Sequence, residues 1–250
     1  MAGHSKWAQI KHKKKAVDAK RGQLFTKLAR AIQVAAREGG GDPDGNPALA
    51  HAIQKAKEAR MPKENIERAI ARGVGAEAGG EAIEKVVYEG YGPGGVAILV
   101  EALTDNRNRT GGEIRHLFTR HGGSMGEPGS VAWVFEKKGE IVVDARRYDE
   151  DALFAAIDAG AEDISRDGDL WEIVSDPADF AAVRDALAAS GVEVESAEIV
   201  MRPTSRTPVA REDAGRLLKL LEALEDHDDV EAVHANFDMD AELLEQVAGV

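Results

Sequence analysis

The sequence predicts an α+β multidomain protein: an N-terminal three-helix bundle followed by two α/β domains, the inserted one ferredoxin-like. Three observations carry that prediction. The first 75 residues space their apolar side chains at helical intervals, whereas from Val86 onward strand-like and helix-like runs alternate. Within residues 138–204 the runs follow the order βαββαβ, the ferredoxin-like arrangement.

Taken in order, Gln23 to Arg37 places Leu24, Leu28, Ala31, Ile32 and Ala35 on one helical face, and Gly39-Gly40-Gly41 ends it. Asn46-Pro47 reads as an N-cap followed by proline at the first helical position. The helix Ala48 to Arg60 then turns Leu49, Ile53 and Ala56 inward. Pro62 starts a third helix with Ile66, Ala69 and Ile70 inward, closed at Gly73. A glycine-bearing linker, residues 75–80, separates this bundle from the remainder of the chain.

Val86 to Tyr91 and Val96 to Thr104 read as strands joined by the turn Gly92-Pro93-Gly94-Gly95. Thr110-Gly-Gly-Glu113 has the form of a capping box, which predicts a helix from about Gly111 to His121. The glycine-rich loop HGGSMGEPGS leads to a further strand, Val131 to Phe135. Next come a strand at Glu140–Asp144, a helix at Glu150–Ala159, and strands at Glu162–Ser165 and Leu170–Val174. A helix at Asp179–Ala189 and a strand at Val194–Met201 complete that set. The last helix, Glu212–Leu224, and strand, Val230–Phe237, have too few partners to stand alone, so they are expected to complete the earlier strand set. The expected domains are therefore 1–75, the discontinuous pair 76–137 with 205–250, and the insertion 138–204.

Charge divides along the same lines. The chain of 250 residues has a net charge of −13, yet residues 1–75 hold sixteen basic and seven acidic side chains. Residues 76–250 hold sixteen basic and thirty-eight acidic ones. A cluster of one sign makes a local field that the net charge hides. Lys11, His12, Lys13, Lys14, Lys15, Lys20, Arg21 and Lys27 have only Asp18 among them. On a helical wheel the lysines surround a narrow stripe of Trp7, Ile10 and Val17. A helix ringed by cations gains by neutralising phosphates and releasing their counterions. Trp7, beside Lys6 in a small-residue tip, is suited to stack on a base. The plainer alternatives are a solvated lysine face with Trp7 as an anchor, or docking of the basic domain on the chain's own acidic ones.

A second candidate contact is the segment TDNRNRT, residues 104–110, where Arg107 and Arg109 stand near a helix start that favours an anion. The structural alternative there is that Asp105 caps locally and the arginines pair with Glu101 or Glu113. Signals of catalysis are poor. His116 and His121 are five residues apart and do not share a helical face. The glycine loop at 122–130 lacks the Lys-Ser/Thr of a phosphate-binding loop, and no Gly-x-Ser-x-Gly occurs. His227, His234, Asp238 and Asp240 would gather a metal only at a stretch. The expectation is a non-enzyme without cofactor or metal. The absence of cysteine and of any apolar run near twenty residues points to a cytoplasmic chain without a membrane partner. With no sign of a symmetric dimer, it reads as a monomer.

Several long motifs carry a resemblance over essentially the whole chain. AGHSKWAQIKHKKKAVDAKRGQLFTKL, GGGDPDGNPALAHAIQKAKEARMPKENIERAI, YEGYGPGGVAILVEALTDNRNRT and RHGGSMGEPGSVAWVFEKKG, in that order, resemble the YebC family, which includes the mitochondrial translational activator of cytochrome c oxidase subunit I. The resemblance implies three domains around a cleft. It also implies a DNA-binding transcriptional regulator or, as in other members, a translation factor that associates with the ribosome and eases difficult peptide bonds. Nucleic acid, either DNA or ribosomal RNA, is thus the expected partner. A protein–protein adaptor is the third reading.

Overall fold

The computed structural model describes residues 21–75 and 83–248. Three helices open it: α1 (Arg21–Gly39), α2 (Pro47–Glu58) and α3 (Lys63–Gly73). Asn46 caps α2 as its sequence requires, its side chain accepting from the Leu49 N–H at 3.1 Å, with Pro47 at the first helical position. The same side chain donates to the carbonyls of Ala35 and Gly40, so one buried asparagine ties the end of α1 to the start of α2. Ile32, Leu49, Ile53, Ala56, Met61, Ile66 and Ala69 form the bundle core. Leu24, expected inward, is instead 42% exposed, and in the first turn of α1 it is the next residue, Phe25, that packs against the core. Gly73 permits close approach of α3 to α1, since a Cβ there would lie 2.5 Å from the Gln33 carbonyl.

Strands β1 (Glu84–Tyr91), β2 (Ala97–Thr104), β3 (Ser124–Met125) and β9 (Val230–Ala235) build the first sheet, in the order β3-β1-β2-β9 and all antiparallel. The C-terminal strand returns across about 125 residues of sequence to lie beside β2, as the shortage of partners in the last segment predicts. Helices α4 (Arg107–Arg120) and α7 (Arg211–Glu225) cover one face of this sheet, and Ile98, Val100, Ile114, Phe118, Leu217, Leu220 and Leu221 make its core. On the other face Ala97 and Leu99 pack with Val131, Val134 and Phe135. Buried on both faces, β2 reads as the near-continuous apolar run AILVEAL.

The second sheet contains β4 (Phe135–Asp144), β5 (Ala161–Asp167), β6 (Leu170–Ser175) and β7 (Ser196–Pro203) in the order β5-β6-β4-β7, every pair antiparallel. Helices α5 (Phe154–Asp158) and α6 (Phe180–Ala189) cross over between them, which is the predicted ferredoxin-like unit. Its core holds Ile141, Val143, Leu153, Ile173, Val183 and Leu187. A short parallel pair, β8 (Thr207–Pro208) with β10 (Phe237–Asp238), and a last helix, α8 (Ala241–Ala248), complete the chain.

Two further expectations are corrected. The stretch Val131–Phe135 is not a strand: Ala132–Val134 form a 3₁₀ turn, and a single strand runs from Phe135 to Asp144. The polar residues 136–139 join that strand because β7 supplies partners from Arg202 to Ile199. The helix expected from Gly111 begins at Arg107, capped not by Thr110 but by Asn106, whose side chain accepts from the Arg109 N–H.

The glycine-rich loop is fixed by one carboxylate. Glu89 is buried and accepts from the N–H groups of Gly129, Val131 and Ala132 at 2.6–2.7 Å. Burial pushes its pKa up, but the three donors outweigh this and leave the carboxyl below its usual range. Glu89→Gln places an amide donor against those N–H groups. We expect it to cost about 2 kcal/mol in chemical denaturation and to speed amide exchange at 129–132. Unchanged exchange there would show that other contacts hold the loop.

Candidate nucleic-acid interface

Of the residues expected to contact nucleic acid, Lys6, Trp7, Lys11, His12, Lys13, Lys14, Lys15 and Lys20 lie outside the described residues, and Arg21 opens α1. Lys27, Arg107 and Arg109 are placed. The Lys27 ammonium donates to the carbonyl of Glu225 at the C-terminus of α7, where the helix dipole favours a cation. One turn further along α1, Arg30 donates to the Asp228 carbonyl at 2.9 Å and to the carboxylate of Asp229. The bundle is therefore tied to the body through the segment between α7 and β9.

Asp229 is the centre of this junction. Only 4% exposed, it accepts from Arg30 on one oxygen, and from Arg109 at 2.7 Å and the Thr110 hydroxyl at 2.6 Å on the other. Thr110 also meets the Thr104 hydroxyl at 2.8 Å, and Thr104 in turn accepts from the Asn106 N–H. The motif TDNRNRT thus folds as a strand end, a cap and a first helical turn wrapped on one buried carboxylate. Burial pushes that carboxyl up, but Thr110, Arg109 and Arg30 bring it down to about 2. The Arg109 guanidinium, bonded first to Asp229 and also to Asp105 at 2.9 Å, is raised in return.

The partners named in the structural alternative for this motif are not the ones used. Arg109 pairs with Asp105 and Asp229, not with Glu101 or Glu113. Arg107 has Glu84 at 4.0 Å and keeps a side chain 67% exposed, so it is the more open of the two arginines. Glu101 pairs with Lys85, and Glu113 faces His227 Nε2 at 2.8 Å. His227 Nδ1 accepts from the Asp229 N–H, which leaves its Nε2–H to donate to Glu113. Glu113, His227 and Asp229 are the cluster among the described residues compact enough to hold a metal; His234, Asp238 and Asp240 do not join it. Each of the three already has partners, and two guanidiniums on Asp229 oppose a cation, so the cluster works as a junction. Asp240 caps α8, accepting from the Leu243 N–H.

Sequence reasoning misses Asp229. It sits in the acidic run EDHDDVE with nothing local to set it apart, and only the return of β9 beside β2 brings it to Thr110. No helix among the described residues is long and apolar enough to cross a membrane.

Taken together, the geometry defines a class: an α+β protein in which a helical bundle is latched by arginine and lysine to a body containing a ferredoxin-like insertion. The family emerges from comparison. Residues 5–76 match the TACO1/YebC protein N-terminal domain and residues 83–237 the TACO1/YebC second and third domain, so the chain belongs to the TACO1/YebC family. It is 54% identical over 250 residues to a probable transcriptional regulatory protein of Rubrobacter xylanophilus, covering all of both chains. It is 56% identical to one of Persephonella marina, over 99% of this chain and all of that one. The crystal structure of a conserved hypothetical protein from Aquifex aeolicus, 49% identical, superposes with a TM-score of 0.80 over 91% of this chain and 94% of that one.

Proposed function

We propose that this chain is a non-catalytic, nucleic-acid-binding regulator of gene expression acting in the cytoplasm as a monomer. Its basic bundle, 1–75, makes most of the contacts, and the acidic excess of the other two units, 76–137 with 205–250 and the insertion 138–204, is repelled from the phosphates. The observation that carries this reading is the division of charge, sixteen basic against seven acidic side chains before residue 76 and the reverse excess after it. Its relatives' name, probable transcriptional regulatory protein, supports regulation as the role. Lys6, Lys11, Lys13, Lys14, Lys15, Lys20 and Arg21, with His12, contact phosphates, Trp7 stacks on a base, and Arg107 adds a contact from the body. Arg109 and Lys27 reach a phosphate only by giving up part of their protein partners, Asp105 or Asp229 for one and the Glu225 carbonyl for the other. The lysine-dense start with its small-residue tip suits a narrow channel in folded RNA, which favours ribosomal RNA and a role in translation as the second reading.

Binding of a labelled RNA hairpin and of a DNA duplex should weaken steeply between about 50 and 200 mM salt. Lys13→Glu, Lys14→Glu and Lys15→Glu together should abolish binding with circular dichroism unchanged. A flat salt response, or full binding by that triple variant, would count against the proposal. Crosslinking in cells then separates the readings, with promoter enrichment marking transcription and ribosomal RNA marking translation.

A further inference from the structure

The body is strongly acidic, but one of its helices is not. Residues 107–121, covering α4 and its cap, hold Arg107, Arg109, Arg115 and Arg120 with His116 and His121, against the single acid Glu113. Ile114 and Phe118 bury the inner face of α4 against the sheet, which fixes the outer face. At 3.6 residues per turn Arg109, His116 and Arg120 fall on one stripe, which also carries Glu113, and Arg115 stands about 100° around the helix from His116. Arg115, His116 and Arg120 are all exposed, as is Lys219 on the neighbouring α7.

Many of the body's other cations are neutralised locally, although Lys137, Arg166, Arg206 and Arg211 have no ion pair among the described residues either. Lys85, Lys138, Arg146, Arg147, Arg184, Arg202 and Arg216 each sit within 4 Å of a carboxylate. Arg115, Arg120 and Lys219 have no ion pair and no side-chain hydrogen bond among the described residues, although the body offers acids in more than twofold excess. The His121 imidazole has its pKa lowered by burial and then by the fields of Arg120 and Lys219, so both of those cations act on it.

We propose that the outer face of α4, through Arg115, His116 and Arg120 together with Lys219 of α7, is a second phosphate-binding surface that tracks a nucleic-acid backbone. It takes phosphates without reading bases, because long cations on an exposed helix face offer charge but no fixed pocket. The surface lies on the same helix whose first turn, through Arg109 and Asp229, is latched to the bundle. It therefore continues the footprint of the basic domain onto the body. This inference rests on the nucleic-acid reading of the bundle and adds to it the place where the polymer leaves that bundle.

The test uses the full chain and two probes, a labelled 30-nucleotide RNA hairpin and a DNA duplex of the same sequence. Arg115→Gln, Arg120→Gln and Lys219→Gln are combined, and the slope of log affinity against log salt is measured. The slope should become shallower by about 2, at about 0.7–0.9 for each phosphate no longer neutralised, and affinity at low salt should fall roughly tenfold or more. A control removing three paired cations of the insertion, Arg146, Arg147 and Arg184, carries the same change in net charge and should leave the slope unaltered. If the combined variant melts early, the pair Arg120→Gln with Lys219→Gln gives the same reading at a slope change of about 1.5. An unchanged slope and affinity, with the Lys13–Lys15 variant still unable to bind, overturns the α4 surface and leaves the basic bundle standing. Equal loss in the insertion control also overturns it, because net charge alone then explains the effect. A wild-type chain that binds neither probe removes both.

Discussion

Replacing Asp229 by alanine is expected to cost about 3 kcal/mol and to loosen the bundle's attachment to the body. The carboxylate is buried, and its loss strands Arg30, Arg109 and the Thr110 hydroxyl together. Breaking a buried pair on one side costs about 3–5 kcal/mol because the partner charge stays behind. The lower end applies, since Arg109 is 43% exposed and water recovers part of its loss. The charge itself is worth about 2 kcal/mol, from a carboxyl near 2 in the fold against 3.8 when free. The sign follows from the depressed pKa: this contribution is complete above pH 4 and fades as pH falls toward 2. Asp229→Asn keeps the acceptor for Thr110 and isolates the charge, so it should lose the smaller amount. In both variants amide exchange in α1 should rise more than in the ferredoxin-like sheet, since Arg30 loses its carboxylate and keeps the Asp228 carbonyl. Equal protection of α1 in wild type and D229A would show that the latch does not hold the bundle.

How much of this is legible in the sequence differs by element. The bundle is readable because its signals are local: Asn46-Pro47 caps α2, and Leu49, Ile53 and Ala56 repeat at helical spacing. The ferredoxin-like order is readable because each of its strands and helices carries its own period, so the succession of types alone implies the topology. What fails depends on distant partners. Residues 136–139 are polar, and only pairing with β7 makes them strand. Thr110 has the spacing of a capping residue, but its hydroxyl goes to a carboxylate 119 residues away, and Asn106 takes the cap. The candidate site divides likewise. The two arginines of TDNRNRT stand out as a motif, whereas their unequal commitment, Arg109 held by two carboxylates and Arg107 left open, depends on Asp229. Asp240, which by sequence would join a metal site only at a stretch, serves as the cap of α8.

Glu140→Gln should stabilise the protein at pH 8 and leave it unchanged near pH 4.5. Glu140 on β4 and Glu172 on β6 lie on the sheet face opposite the helices, and they share one guanidinium, that of Arg202. Its contacts are long, 3.4 and 3.5 Å, so neither carboxylate is well compensated. Burial first, and then the Glu172 charge, push the Glu140 carboxyl up to about 7 against the attraction of Arg202 and Arg206. Glu172 is raised as well, burial again leading. A carboxyl whose pKa is raised by folding binds a proton more tightly in the folded chain, so stability falls as pH rises from 4.5 to 7. The full penalty above pH 7 is about 3 kcal/mol, from a carboxyl at about 7 in the fold against 4.5 when free. Glutamine carries no charge to desolvate. Its carbonyl accepts from Arg202 and the repulsion from Glu172 is removed. Urea denaturation of both proteins from about pH 4.5 to 8.5 gives the comparison, and the difference between them isolates this residue from the acid-range contributions of Asp229 and Asp144. Parallel stability curves across that range would mean that Glu140 ionises in the fold as it does in the unfolded chain.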